Sequence, residues 1–338
     1  MAGTAAPVRF APMLPNGRRL GAHLPLGHGM LRAADRAAEI RASAIQVFTD
    51  NPTSWRRRPT LPRDLPAFRD RLVADGVTPL AIHAPYLVNL AGPEPDAVER
   101  SVAVLVNELR VAASWGAQLV NVHLGSHRGS GIDAGIAGVA AGLRRVFDEM
   151  DGAAGDVTLV LENGAGGGSG IGVTIEELAR VEEAVAAAGV GRERFGYCLD
   201  IAHLWGAGYA MDDPAGVDEV FGAFDAAIGL GRLRMVHLND SRSERGSRTD
   251  QHEHLGAGRI GAAGLRRVLT HPGLEHVAYL LETPGMDDGY DLVNMDRARD
   301  LVAGRPLAEL PPDAFDIAST KGRSAPPETD DESLEPTG

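Results

Sequence analysis

Cysteine and lysine are nearly absent from this chain. Cys198 is the only cysteine in 338 residues, which excludes an internal disulfide and fits a reducing compartment. It stands in the apolar run GYCLD, where a small buried core residue is expected. Lys321 is the only lysine, and every other basic side chain except histidine is arginine. Schiff-base and lysine-assisted sugar chemistry therefore have no candidate outside the polar C-terminal stretch. No run approaches the ~20 unbroken apolar residues of a membrane helix. The first residues, MAGTAAPVRFAPMLPNGRRL, have no apolar segment behind a basic start, so no secretory signal is expected. These absences predict a cytoplasmic protein, and a monomer is expected.

Positive charge is also scarce. The formal net charge is −13, which by itself argues against a nucleic-acid partner. The distribution changes that argument. In residues 305–338, three basic and eight acidic side chains account for −5 of the total. Bound divalent ions would offset much of the remainder and present a phosphate with a locally positive site.

What the chain does have is a regular alternation. Residues 1–18 are rich in Ala and Pro and are expected to form a loose extension. Strand-like runs follow at Leu20–His23, Ala44–Phe48, Leu80–His83, Leu119–His123, Thr158–Glu162, Gly196–Asp200, Met235–Leu238 and Tyr279–Thr283. They are short and rich in Val, Ile and Leu, as parallel strands buried on both faces are. Amphipathic stretches separate them: Met30–Ile40, Asp64–Asp75, Asp96–Trp115, Ile132–Met150, Thr174–Ala188, Pro214–Ile228, Ala262–Leu269 and Asp291–Val302. Thr174 followed by Glu177 predicts a capping box, and Asp213 before Pro214 predicts an N-cap. Eight strands alternating with eight helices predict an α/β fold, a single-domain (β/α)8 TIM barrel over residues 19–303. A doubly wound open sheet is the alternative. Residues 304–338 are acidic and Pro-rich and read as a disordered tail.

The chemistry lies at the strand ends. His83 stands in AIHAP, His123 in NVHLG, Glu162 in VLENG, and Asp200 with His203 in LDIAH. His237 stands in VHLND, Asp250 with His252 in TDQHEH, and Glu282 in LLETP. A lone histidine at a strand end is more often a hydrogen-bonded structural residue. The joint pattern is different. Eight of the 11 histidines (His23, His83, His123, His127, His203, His237, His252 and His254) fall at or just beyond strand ends. Successive strands of a barrel deliver such residues to one rim. Five imidazoles and four carboxylates are mixed donors that suit Zn²⁺, with Mn²⁺ or Fe²⁺ as alternatives.

These residues carry a resemblance. From about Leu20 to Val302 the chain resembles the endonuclease IV family of apurinic/apyrimidinic endonucleases, within the xylose-isomerase-like barrels. The most specific segment is HLNDSRSERGSRTDQHEHLGAGRIG, residues 237–261. The resemblance implies a zinc enzyme that cuts DNA on the 5′ side of an abasic site and leaves a 3′-hydroxyl, in base excision repair. It implies three ions: one on His83, His123 and Glu162, one on Glu162, Asp200, His237 and Glu282, and one on His203, Asp250 and His252. Glu162 and Glu282 would be the central catalytic carboxylates. Two ions sharing Glu162 would acidify a bridging water, and the third would stabilise the leaving oxygen. Tyr86, Leu87 and Trp55 fall where the family meets duplex DNA. Arg56, Arg57, Arg58, Arg242, Arg245 and above all Arg248 could hold phosphates. The chain departs from the family at Asp50, commonly basic, and at Thr53, commonly an arginine wedge, which bears on substrate choice. Three alternatives follow: a relative with altered substrate, a barrel sugar isomerase or epimerase, and a non-catalytic binder.

Overall fold

In the computed structural model, residues 13–150, 155–286 and 288–316 are described. Eight parallel strands close into a barrel: β1 (Arg19–His23), β2 (Ala44–Val47), β3 (Leu80–His83), β4 (Leu119–His123), β5 (Thr158–Glu162), β6 (Phe195–Asp200), β7 (Leu233–His237) and β10 (Ala278–Leu281). Helices α1 (Met30–Glu39), α2 (Leu65–Asp75), α3 (Pro95–Trp115), α4 (Ile132–Met150), α5 (Ile175–Ala187), α7 (Pro214–Ala227), α8 (Gly261–Thr270) and α9 (Tyr290–Ala303) alternate with the strands. The expected TIM barrel is therefore the observed fold. Two pieces lie outside the expected alternation. A short helix, α6 (Ile201–Ala207), follows β6 directly, and a two-stranded ribbon pairs β8 (Asp240–Ser241) with β9 (His252–Glu253).

Strand parity builds the barrel lumen. Ala44, Ala81, Leu119, Val160, Cys198, Met235, Ala278 and Leu280 form one small buried cluster, and residues of the opposite parity pack against the helices. Alanines and one glycine let the strands crowd. A Cβ on Gly21 would lie 1.7 Å from Ala44 O, so β1 could not pair with β2 at this distance with any other residue. The ring is latched on its outside by the Arg36 guanidinium of α1 on Asp291 of α9, whose side chain is wholly buried.

Thr174 caps α5 as expected: its Oγ1 accepts from Glu177 N at 3.2 Å, and Glu177 Oε2 accepts from Val173 N at 2.9 Å. The Asp213 side chain makes no such cap on α7. Two segments expected to be loose are built into the barrel. Leu14 is buried, and Arg18 donates to Leu269 O and His271 O, both at 2.6 Å, which satisfies carbonyls at the end of α8. Residues 305–316 fold back over α9. Arg297 donates to Ala308 O, Ala308 N donates to Asp300 Oδ2 at 3.1 Å, and buried His254 places Nε2 2.9 Å from Ala314 O. The rest of both segments, 1–12 and 317–338 with Lys321, lies outside the described residues.

Candidate metal centre

Side chains two residues apart on a strand point to the same face. Counting two residues beyond the lumen cluster, and beyond Gly21 on β1, each strand adds one polar residue to the next layer: His23, Gln46, His83, Asn121, Glu162, Asp200, His237 and Glu282. All lie at the C-terminal rim, because the strands are parallel. His123 comes from one layer higher on β4, His203 from α6, Asp250 from the segment leading into β9, and His252 from β9 itself.

The nine expected ligands meet there. Donor atoms of His83, His123 and Glu162 lie within 4.8 Å of one another, as do those of Glu162, Asp200, His237 and Glu282, and those of Asp200, His203 and His252. Asp250 joins the last group, with Oδ2 3.3 Å from His203 Nε2 and Oδ1 3.0 Å from His252 Nε2. Glu162 serves two groups, with Oε2 3.4 Å from His83 Nε2 and Oε1 3.1 Å from His237 Nδ1.

A surrounding layer fixes these atoms. His83 Nδ1 lies 2.7 Å from Ala84 O, His203 Nδ1 2.8 Å from Asn163 O, and His252 Nδ1 2.9 Å from Glu282 O. Each bond turns Nε2 toward the carboxylates. Asn121 donates to Glu162 Oε2 at 2.5 Å, and Asn239 donates to Asp200 Oδ2 at 2.8 Å while accepting from Glu282 N. Gln46 donates to Glu282 Oε1 at 2.7 Å. Gln46, Asn121, Asn163 and Asn239 are missed by sequence reasoning, and His23 falls outside the expected ligand set. A period of two counted forward from the lumen residues Ala44 and Leu119 marks Gln46 and Asn121.

Electrostatics show what the site demands. Burial works against the charge on Glu162, yet the surrounding imidazoles hold its carboxyl well below the usual range. Burial likewise opposes Asp200, which His203 and His252 bring down to about 2. His252 moves up to about 9, because Asp200 outweighs burial, whereas burial takes His123 down to about 4. The imidazoles around Glu162, Asp200 and Glu282 thus favour the charged form of all three carboxylates at the rim. His252 Nε2 is buried and makes no well-aligned hydrogen bond, although Asp250 Oδ1 and Asp200 Oδ2 face it at 3.0 and 3.5 Å. Lone pairs converging on ionised carboxylates are the donor chemistry of a cation site, so the residues fit the metals expected of them. Cys198 lies beside His237 beneath the cluster, its thiol pushed up to about 12 by burial.

The proposed DNA-facing residues divide. Tyr86 is half exposed and stands 5.7 Å, ring to ring, from His83. Leu87 follows it at the surface edge. Trp55 is partly buried, with the Arg100 guanidinium 5.3 Å over its ring. Arg57 reaches the buried Glu108, and Arg58 pairs with Asp50 at 2.8 Å, whereas Arg56 is exposed. Arg242 donates to His252 O, and Arg245 lies over Trp205. Arg248 is exposed in the left-handed region at φ 58°, against Gly166 and Gly167 of the glycine loop that follows β5.

A family model described as a xylose isomerase-like TIM barrel matches residues 34–304. A protein of Methanoculleus marisnigri named "Probable endonuclease 4" is 39% identical over 282 residues, 83% of this chain and 98% of its own. One of the same name from Halorhodospira halophila is 40% identical over 271 residues, 80% of this chain and 90% of its own. The chain belongs to the endonuclease 4 family. The solved structure of endonuclease IV from Thermus thermophilus agrees, with TM-score 0.72 and 37% identity over 85% of this chain and 99% of that one. Membership makes the chain an enzyme of the nuclease class. A D-tagatose 3-epimerase-like protein, 16% identical with TM-score 0.60 over 82% of this chain and 94% of its own, shares the fold alone. No described helix is long and apolar enough to cross a membrane.

Proposed function

We propose that this enzyme uses three zinc ions to hydrolyse the DNA phosphodiester on the 5′ side of an abasic site, leaving a 3′-hydroxyl. The carrying observation is the convergence of nine donor residues from eight segments of the fold into three groups at one rim. His83, His123 and Glu162 would hold one ion, Glu162, Asp200, His237 and Glu282 a second, and His203, Asp250 and His252 the third. When bound, such ions supply Lewis acidity toward a phosphate and a water acidified toward neutral pH.

The protein's own contribution is placement. Glu162 ties two donor groups to one side chain, and its bond from Asn121 limits its rotation. The carbonyls of Ala84, Asn163 and Glu282 fix three imidazole orientations before substrate arrives. Tyr86 and Leu87 stand at the rim to fill the space of a missing base. An abasic site is the least costly place to open a duplex, since no base pair is broken there. Arg248 and Arg56 would meet backbone phosphates. Trp55 would support the loop under its Arg100 cover.

The test is a duplex carrying one synthetic abasic site, beside an intact duplex. A single zinc-dependent nick 5′ to the lesion supports the reading. Cleavage of the intact duplex at equal rate, or none of either, rejects it. Sugar isomerisation has no specific support here: no described residue is a lysine, and the epimerase-like neighbours share only the barrel.

A further inference from the structure

Gln46 sits on β2 one step above Ala44, wholly buried and marked by no motif. Its Nε2 lies 2.7 Å from Glu282 Oε1 and 2.9 Å from His23 Nδ1, and its Oε1 lies 3.1 Å from His237 Nε2. The hydrogen-bond network decides which end of an amide is which. A carboxylate only accepts, so the terminus facing Glu282 must be nitrogen. The other terminus is then the carbonyl oxygen, which also only accepts. His237 Nε2 must therefore carry a proton. One amide proton goes to Glu282 Oε1, and the other side of the same nitrogen faces His23 Nδ1, which itself stands 3.3 Å from that oxygen.

The consequence reaches the donor group. With Nε2 committed to Gln46, His237 is left with Nδ1, which faces Glu162 Oε1 at 3.1 Å, Glu282 Oε2 at 3.3 Å and Asp200 Oδ2 at 3.8 Å. His83, His203 and His252 are wired the opposite way, with Nδ1 on backbone carbonyls and Nε2 inward. Glu282 is divided too: Oε1 takes the Gln46 bond and Oε2 faces His237.

We propose that Gln46 is a positioning residue that commits His237 to present Nδ1, and Glu282 to present Oε2, to the cation held between them. The proposal rests on the metal reading above. Its test is ring ¹⁵N–¹H correlation spectroscopy on the full chain, labelled with ¹⁵N-histidine and loaded with zinc. The expected spectrum has His237 protonated at Nε2 with a metal-shifted Nδ1, and His83, His203 and His252 with the reverse pattern. A His237 proton on Nδ1 overturns the proposal.

Two variants separate positioning from packing. Gln46→Leu removes all three contacts and should lower zinc affinity by roughly 10–100-fold in chelator competition. Unchanged affinity counts against the proposal. Gln46→Glu keeps an acceptor for His237 but sets a carboxylate against Glu282. It should retain the His237 Nε2–H signal while still losing zinc affinity, whereas a packing defect would move both readouts together. Should the wild-type chain bind no zinc, the metal reading fails, and Gln46 is judged on the metal-free protein. A His237 Nε2–H sheltered in wild type and exposed in Gln46→Leu supports the hydrogen-bond assignment, and equal exchange in both overturns it.

Discussion

Glu162 Oε1 stands 3.1 Å from His237 Nδ1 at the floor of the rim cluster. The other oxygen of the same carboxylate faces His83 Nε2 at 3.4 Å, so one side chain joins two donor groups. That shared position makes it the most sensitive point of the site. Glu162→Gln keeps size and removes charge. If the lost stabilisation is several kcal/mol, cleavage should fall by roughly three orders of magnitude. Zinc content should fall with it. A variant with full zinc and at least a tenth of wild-type rate contradicts this.

Metal removal should register in stability as well as in rate. Without cations the buried carboxylates of the rim face one another. Ligand that binds only the folded state stabilises it by about 4 kcal/mol at a thousandfold excess over Kd. A chelator-stripped sample should melt well below one with micromolar zinc, and refilling should restore both the melting temperature and activity. Equal melting of the two samples argues against a cation site.

Arg248 separates stability from binding. Its left-handed backbone is unfavourable for a residue with a Cβ, and its N–H is held by Gly206 O at 2.9 Å. Arg248→Gly should therefore stabilise the fold by about 1 kcal/mol. The same change should weaken duplex binding uniformly and lower the salt slope by about one. Binding titrations at several salt concentrations check this, and an unchanged slope removes Arg248 from the phosphate contacts.

The barrel latch should be costly to break. Asp291 is wholly buried and depends on Arg36. Removing one partner of a buried pair leaves an uncompensated charge and costs about 3–5 kcal/mol, so Arg36→Ala should lower denaturant stability by that order. Glu39→Gln, on the exposed side of the same arginine, should cost no more than about 1 kcal/mol.

Glu108 gives a pH prediction away from the metal site. Burial raises its carboxyl pKa, against the opposing bond from Thr49 and the charge of Arg57. A carboxyl with a raised folded pKa holds its proton more tightly when folded. Its contribution to stability is full below the unfolded value of 4.5 and is lost as pH rises through the folded value. Glu108→Gln escapes that loss. The melting temperature of Glu108→Gln relative to wild type should therefore climb as pH rises from 4.5 toward neutrality. A difference that is flat or falls with pH speaks against a raised pKa.

The parts legible in the sequence share a physical reason. Strands buried on both faces show as short Val, Ile and Leu runs, and a polar residue closing such a run stands out, as His83, Glu162 and His237 do. Gln46 and Asn121 sit inside their runs and contribute no motif, although their spacing of two from the lumen residues carries the information. Helix α6 spans only Ile201–Ala207, too few turns to display an amphipathic period, and each ribbon strand has two residues. The docking of Leu14–Arg18 and of residues 305–316 depends on distant partners, the end of α8 and His254, which local composition does not report.

The most direct measurement is zinc content and strand cleavage on one preparation, with a duplex bearing a single abasic site and Glu162→Gln as the paired control. The account predicts three zinc ions per chain and one nick on the 5′ side of the lesion, lost in the variant. Bound zinc with the abasic duplex left uncut, or nicking that persists in metal-free protein, would contradict it.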